Sequence, residues 1–600
     1  MSFKQRFNAF REQVNIRLYD SRDFVLGALS KLSFFVALST IVSLIVFHGY
    51  QLTEAQNHLI GIIVRASIGY YLIKFIVEII YNFHPWEFIK SRKWEAILMV
   101  FLVLDILTIN LRGVEILSVL GDAIGVSSLQ SGFVLLLQFY VMIIVFLEFG
   151  KVGERLPDFN LSAPALLIIS FIILIAIGTG LLMLPEMTAG PEALDFVTAL
   201  FTSISASCVT GLSLVDISTV LSFKGQMIVM ILMQLGGLNI ISFAALFAIL
   251  RGGFGMRQQN FMSENLGESM QQSGKLVGAI FRLTLTIELL GAIALGIIWF
   301  PHFDSLGNTM FHSIFHSISA FNNAGFSLFT DSLATPGAAL MPRVHWVIAL
   351  LIVLGGIGFG TLSDVLAQPW RKQSLIKSWR GLRLGTKIGL SVAGILLVVG
   401  GFVFALTLNF EGHVGAHLSN SFFQSITART AGFNTIDIGA MAMPAMLMMI
   451  FLMFIGGGSG STAGGIKTST FALVFLSAAA TIRGKKDINL YKNKIPWELM
   501  NRAFAVFLFA IVFIFLGIFI LTILEPEMAF LDLAFEQVSA FCTVGLSTGI
   551  TAELSFGSKV VIMLSMLVGR VGTLTLAFAL SGTRPEANTF TYPKGNMHVG

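Results

Sequence analysis

Four short stretches carry residue types and a spacing that could do chemistry: SASCVTGLSL (205–214), SAFNNAGFSL (319–328), TARTAGFNTI (427–436) and SAFCTVGLST (539–548). Each has a small or hydroxyl residue, a short polar–apolar turn, one glycine, then Leu or Phe. The glycines Gly211, Gly325, Gly432 and Gly545 are spaced by 114, 107 and 113 residues. One glycine after an apolar run carries no information, but four at one period in one context make an internal repeat. The chemistry on offer is that of the backbone. Non-helical backbone at membrane depth persists only where it is buried in protein or lines a water-filled path. Four such loops around a pseudo-fourfold axis present rings of carbonyl oxygens, which can replace the hydration shell of a cation. Glycine is needed where the carbonyl must turn inward through dihedrals that a Cβ resists. The candidate ligating residues are Val209, Thr210 and Gly211, Asn323, Ala324 and Gly325, Thr430, Ala431 and Gly432, and Thr543, Val544 and Gly545.

A second stretch, IGGGSGSTAGGIKTS (455–469), is the most glycine-rich of the chain and sits between apolar runs. Gly458 to Ala463 spells G-S-G-S-T-A, close to a dinucleotide fingerprint, but that motif needs a strand before it and a soluble βαβ unit around it. Hydrocarbon-like sequence on both sides denies that context. Gly456–Gly465 cannot hold a helix in register, so the stretch is expected to interrupt a span and bulge toward the axis, with a simple kink as the plainer reading.

The elements that position these loops are membrane helices. The 600 residues are 55% hydrophobic and 12% charged, with mean hydropathy +0.83; a soluble domain carries about 25% charge. Runs of about 20 apolar residues can cross a bilayer. They predict spans near 28–50, 58–83, 94–111, 129–150, 161–184, 222–250, 276–300, 345–366, 387–408, 440–480 (interrupted), 502–524 and 558–581. Apolar stretches near 193–207, 307–320, 415–428 and 530–541 are too short to span and read as re-entrant segments, each leading into one glycine loop. In three units the preceding span ends at a proline, Pro185, Pro301 or Pro526.

Charge sets the sidedness. Lys4, Arg6, Arg11, Arg17 and Arg22, then Lys90, Arg92 and Lys93, then the basic residues of 366–387 and 481–500, all fall on one side if twelve spans alternate. The loops 185–195, 301–308, 409–420 and 525–532 on the other side contain no Lys or Arg. Both termini are expected in the cytoplasm, and this sorting explains the net charge of +5 without nucleic acid as a partner. The N-terminal stretch is too long and charged for a cleavable signal peptide. Cys208 and Cys542 are too few for a disulfide framework, and nothing has metal-ligand spacing.

These loops, with GLSLVD (211–216), RTAGFNT (429–435), TVGLSTG (543–549) and VGRVGT (568–573), resemble the Trk/Ktr/HKT superfamily of potassium transporters. CVTGL (208–212) and the ending YPKGNMHVG (592–600) are most similar to the bacterial Ktr membrane subunit, and the resemblance covers about 161–600. Thr543-Val544-Gly545 also matches the start of the potassium-channel filter T-V-G-Y-G, whose second glycine is missing here. The resemblance implies an all-α polytopic protein of the bacterial inner membrane. Four pseudo-symmetric helix–pore-loop–helix repeats (156–254, 255–370, 371–484 and 485–600) would surround a central pore, with four extra helices in an N-terminal domain, 1–155. It implies potassium uptake, since in the plant relatives a serine at the Gly211 position accompanies sodium transport. It makes Gly456, Gly457, Gly458, Ser459, Gly460, Ser461, Thr462, Gly464, Gly465 and Lys467 an intramembrane gating loop faced by Arg570, whose place within a span already marks it as functional. It implies a homodimer docked on a separate cytoplasmic nucleotide-binding ring, with 366–387 and 481–500 as docking surfaces. No cofactor belongs to this chain; potassium is the ion, with stimulation by sodium left open.

Other polar groups read more plainly. Glu288 is expected to be a packed, protonated side chain and Asp364 a helix-end group; Arg429 is expected to scaffold the third loop. His312 and His316 have i, i+4 spacing but no third ligand, which favours packing over a metal site. Glu78 and Asp105 give the N-terminal spans a voltage-sensor look, but 131–150 has no Lys or Arg for a potential to act on. Rival functions are a secondary transporter, which would show inverted repeats, a channel for another monovalent ion such as sodium, and an intramembrane hydrolase, for which Ser459 and Ser461 lack an in-span histidine.

Overall fold

A computed structural model describes residues 3–82, 85–91, 96, 99–100, 163–238, 273–337, 341–368, 374–408, 414–485, 488–573 and 575–576. The chain divides into two compact units, Met1–Phe159 and Asn160–Gly600. In the first, α1 (Phe3–Gly49) joins the charged lead-in and the first expected span in one helix. It packs on α2 (Glu54–Ile80) through small polar contacts, with Thr40 Oγ1 donating to Ser67 Oγ at 2.8 Å beside a core of Ala37, Tyr71 and Phe75. Glu78 pairs with Lys74 one turn away at 3.9 Å. A short α3 (Pro85–Ser91) follows; the expected spans 94–111 and 129–150 lie almost wholly outside the described residues.

Among the described residues the regular structure of the second unit is helical apart from one hairpin. In order come α4 (Ala163–Leu182), α5 (Phe196–Ser207), α6 (Ile217–Val220) and α7 (Phe223–Gly237). Next are α8 (Ser273–Trp299), α9 (Leu306–Phe321), α10 (Pro342–Gly356), α11 (Phe359–Ala367) and α12 (Leu375–Gly381). Then follow α13 (Leu384–Thr407), α14 (Val414–Thr427), α15 (Met443–Phe454) and α16 (Thr468–Ile482). After the hairpin come α17 (Trp497–Leu524), α18 (Phe530–Phe541) and α19 (Phe556–Val571). Among the described residues four helical segments are long and apolar enough to cross a membrane: Tyr19–Gly49, Gly278–His302, Leu384–Thr407 and Trp497–Leu524. The last turns Leu508, Phe515, Phe519 and Ile523 outward, as lipid contact requires.

Two expected spans are corrected, and the interruption expected of a third is present. The span near 345–366 is two helices, α10 and α11, bent by 99°. The break falls at Gly358, whose φ of +93° only glycine adopts without strain. The span 558–581 breaks at Gly572, whose φ is +90°, with helical residues again at 573, 575 and 576. The interrupted span is two short helices, α15 and α16, with no helical residue between Ile455 and Lys467. All three breaks fall at closely spaced glycines, which weaken helical propensity.

The short helices α5, α9, α14 and α18 match the four expected re-entrant segments; each packs against the long helix before it, α5, α9 and α18 also pack against α7, α10 and α19 after them, and α14 packs against α10. The first begins at an N-cap, Asp195, which accepts from the amides of Val197 and Thr198. A hydrogen bond from the Thr198 side chain chiefly holds that carboxyl below its ordinary pKa, against a smaller opposing effect of burial. The basic linkers also come together. A hairpin, β1 (Asn489–Leu490) and β2 (Asn493–Lys494), carries Tyr491 under the ammonium of Lys387 at 5.8 Å, with the Tyr491 hydroxyl 3.2 Å from Ser391 Oγ.

Candidate functional site

The four loops begin where the short helices end, so each aims the negative end of a helix dipole at the same region. All four share one backbone pattern. Val209, Asn323, Thr430 and Thr543 have φ of 52°, 56°, 72° and 50°. Two residues later Gly211, Gly325, Gly432 and Gly545 have φ of 97°, 73°, 81° and 91°. The amide just before each glycine closes back on its helix. Thr210 N donates to Ser205 O, Ala324 N to Ser319 O and Val544 N to Ser539 O at 2.8 Å, and Ala431 N to Thr427 O at 2.9 Å. The third loop has one residue fewer and closes one position earlier.

The glycines touch in a closed cycle. A Cβ built on Gly211 would lie 2.4 Å from Ala324 O, and one on Gly325 would lie 2.8 Å from Ala431 O. One on Gly432 would lie 2.4 Å from Val544 O, and one on Gly545 would lie 2.1 Å from Thr210 O. Each glycine thus abuts the carbonyl preceding the next glycine, and the fourth returns to the first. A side chain at any of them would break this approach. All four border one cavity of about 280 Å³ with Asp216 and Asp331 on its wall. The hydroxyls of Thr210 and Thr543, in the same loops, are buried without a protein partner. Converging carbonyls, helix C-termini and spare hydroxyl oxygens are the ligand set of a dehydrated alkali cation.

In three of the short helices a polar residue braces the chain beyond the glycine, and sequence reading missed the four equivalent positions as a set. Thr202, His316 and Glu536 stand nine residues before their glycines, and Gln424 stands eight before in the shortened loop; all are fully buried. His316 Nε2 accepts from Leu328 N at 3.3 Å and Ser327 Oγ at 3.0 Å, while Nδ1 donates to His312 O at 2.8 Å. Gln424 Nε2 donates to Thr435 Oγ1 at 3.1 Å. Glu536 accepts from Ser547 Oγ, from Thr548 N at 3.2 Å and from Thr551 Oγ1 at 3.0 Å. Thr202 Oγ1 has no partner. The signal was available as a fixed offset of a polar residue within an apolar helix.

The glycine-rich stretch lies against these loops. Ile455 and Ile466 bridge to close its neck, and Gly456 N donates to Ile466 O at 2.9 Å. From there it contacts the bend of α10 and α11: Gly458 N donates to Gly356 O at 2.7 Å and Phe359 N to Gly460 O at 3.1 Å. A Cβ on Gly464 would lie 2.0 Å from Thr543 Oγ1, and one on Gly456 would lie 3.2 Å from Thr430 Cγ2. Ser461 Oγ donates within the stretch to Gly458 O at 2.7 Å, Thr462 Oγ1 donates to Phe321 O at 3.2 Å, and Gly457 O accepts from Thr468 N at 3.0 Å. Ser459 O lies against Gly358, and Gly465 takes φ +63° beside Cys542.

Three cations hold its carbonyls. Arg429 Nη2 donates to Gly456 O at 3.2 Å, Lys467 Nζ donates to Ala463 O, and Arg570 Nη1 donates to Thr462 O. Arg570 Nη2 also donates to Gly236 O and, at 3.5 Å, to Gly237 O. Among the described residues no carboxylate lies within ion-pair distance of the three. One expectation changes here. Arg429 reaches the glycine-rich stretch and Ala393 O (3.4 Å), with no bond to the third loop. Arg570 lies in the last turn of α19, two residues before the break at Gly572 in the expected span 558–581.

The position of Arg570 follows a pattern unread in the sequence. Gly236–Gly237, Gly355–Gly356, Gly456–Gly457 and Gly569–Arg570 are equivalent pairs. A Cβ on Gly236, Gly355 or Gly569 would lie 1.9, 1.8 or 1.7 Å from the last carbonyl of α5, α9 or α18 (Ser207, Phe321 and Phe541). In these three units the first glycine lets the helix touch its short helix, whereas Gly456 lies past the end of α15 and meets Gly464 O; the fourth unit carries arginine where the others carry a second glycine.

Comparison with known proteins agrees with this geometry. The family model described as "TrkH: Cation transport protein" matches residues 139–592. The chain is 38% identical over 447 residues to the Ktr system potassium uptake protein B of Bacillus subtilis, covering 73% of this chain and 97% of the relative. It is 37% identical to the Vibrio alginolyticus protein of the same name over 73% and 95% of the two chains. To the potassium/sodium uptake protein NtpJ of Enterococcus hirae it is 35% identical, over 74% and 98%. The crystal structure of the potassium transporter TrkH from Vibrio parahaemolyticus matches with TM-score 0.56 at 18% identity, over 81% and 97%, and so shares the fold. A multi-pass helical protein whose four glycine loops close on one another, and whose sequence matches these relatives over nearly their whole length, belongs to the Trk/Ktr family of cation transport proteins as a membrane subunit and not an enzyme.

Proposed function

We propose that this chain takes up potassium through a filter formed by the four glycine loops, gated from the cytoplasmic side by residues 456–467. The observation that carries the reading is the closed cycle of glycines against the carbonyls of Thr210, Ala324, Ala431 and Val544. An ion among these oxygens exchanges its hydration shell for carbonyls and for the two spare threonine hydroxyls, aided by four helix C-termini. The glycine-rich stretch and its three cations stand on the far side of the Thr430 and Thr543 positions from the glycines. They oppose a cation in transit both sterically and electrostatically. Opening requires the stretch to leave the contacts with Gly356, Phe359 and Arg570.

The wider assignment is a pore of four repeats, 156–254, 255–370, 371–484 and 485–600, with both termini in the cytoplasm of a bacterial cell and the protein in its inner membrane as a homodimer. The partner is a cytoplasmic nucleotide-binding ring. The meeting of Lys387 with the 489–494 hairpin supports a single docking surface made from both basic linkers. Sodium is the second reading for the ion or its stimulator, supported by the name of the Enterococcus relative as a potassium/sodium uptake protein.

Uptake of potassium, rubidium and sodium in cells lacking potassium transporters tests the assignment. Growth at low potassium, with rubidium competing and sodium not, is expected. Sodium uptake that potassium does not inhibit would replace potassium by sodium as the cargo.

A further inference from the structure

Glu288 is a carboxyl in the middle of the span-length helix α8, 5% exposed. Packing alone does not account for its surroundings. Oε2 accepts from Gln234 Nε2 on α7 at 2.9 Å, and Oε1 accepts from Asn322 Nδ2 at the C-cap of α9 at 3.0 Å. Asn322 Nδ2 also donates to Gln234 Oε1 at 2.8 Å, which closes a triangle across the first and second repeats. Among the described residues no cation stands within ion-pair distance of Glu288.

Each corner of the triangle leads to a working part. Asn322 precedes Asn323, the left-handed residue that opens the second glycine loop. Asn323 in turn approaches Thr430 Oγ1 and Thr462 Oγ1 at 3.5 Å each. Gln234 lies within one turn of Gly236 and Gly237, whose carbonyls accept from Arg570. Gly237 is pressed so close to Asn322 that a Cβ on it would lie 1.9 Å from Asn322 Oδ1.

We infer that Glu288 is a positioning residue for ion selection: through Gln234 and Asn322 it ties the second filter loop to the layer that Arg570 holds. The inference rests on the pore reading above. A carboxylate suits the place because both neighbours present amide hydrogens and only an acceptor pair satisfies both. Without it two buried amide donors lose a partner and the start of the second loop is released.

The test compares rubidium with sodium flux into liposomes containing the full-length protein. Glu288→Leu is expected to lower the rubidium-to-sodium ratio about five- to tenfold, the order expected for losing a buried hydrogen bond. Glu288→Gln should lower it less. Gln234→Glu combined with Glu288→Gln rebuilds one carboxyl and two amides in the triangle, and should return the ratio to within about twofold of the parent. A merely structural role would lower both fluxes together and leave the ratio unchanged. Should Glu288→Leu fail to accumulate, Glu288→Gln and the exchanged pair carry the test. A ratio unchanged in these variants, while Gly325→Ser lowers it, overturns the inference and leaves the pore reading standing. If Gly325→Ser does not move it either, the pore reading fails first.

Discussion

Placing serine at the four loop glycines in turn gives a graded perturbation whose order follows from the structure. At Gly545 the new Cβ would stand 2.1 Å from Thr210 O, with φ at +91°. A carbon and an oxygen without a bond need more than about 3 Å, so the Thr210 carbonyl must retreat by about 1 Å or the Gly545 backbone must turn. Holding a residue with a Cβ in such a dihedral costs about 1–3 kcal/mol. Either relief withdraws one of four carbonyls from the ion. If 1–2 kcal/mol of that strain is expressed as weaker potassium binding, the preference over sodium falls about five- to thirtyfold. Gly211 and Gly432, each 2.4 Å from the next carbonyl, should follow, and Gly325, at 2.8 Å, should be affected least. Ion preference is read as uptake of potassium against sodium in cells lacking other potassium transporters, normalised to protein in the membrane and repeated in liposomes. Unchanged preference in both Gly545→Ser and Gly211→Ser would refute the filter. A series in which Gly325→Ser had the largest effect would refute the ring geometry.

Deleting Gly457–Gly464 should raise flux and loosen control by a cytoplasmic partner; normal liposome flux in the deletion would return the stretch to a helix break. Arg570→Ala should act in the same direction and, because Arg570 binds Thr462 O inside the deleted segment, the two changes should not add. A truncated protein beginning near Leu156 should keep its ion preference, since every glycine loop lies beyond residue 200; altered discrimination by a folded truncation would assign the N-terminal unit a part in the pore. Glu536→Ala strands the donors of Ser547, Thr548 and Thr551 and should cost about 3 kcal/mol or more, seen as a lower Tm in detergent; Glu536→Gln keeps one acceptor and should lose less, and equal Tm values would discount the brace.

The sequence by itself determined the membrane class, the fourfold spacing of the glycine loops and the short helices that lead into them. Hydropathy and periodicity are local properties of the chain, and a loop that needs glycine says so at its own position. Even the break at 455–467 was legible, because ten residues with six glycines cannot sustain a helix whatever surrounds them. Helix bends were not legible: Gly355–Gly358 and Gly569–Gly572 look like ordinary membrane glycines until their contacts with α9, α18 and the glycine-rich stretch are seen. Which carbonyl meets which glycine, and which turn of the stretch Arg570 holds, joins residues more than a hundred positions apart. Arg429 shows the limit: adjacent in sequence to the third loop, it spends its hydrogen bonds on Gly456 and Ala393. Glu288 shows it again, reading as one packed acid until folding brings Gln234 and Asn322 to its two oxygens. A buried polar group is decided by the partners that complete it, and only the tertiary structure brings those together.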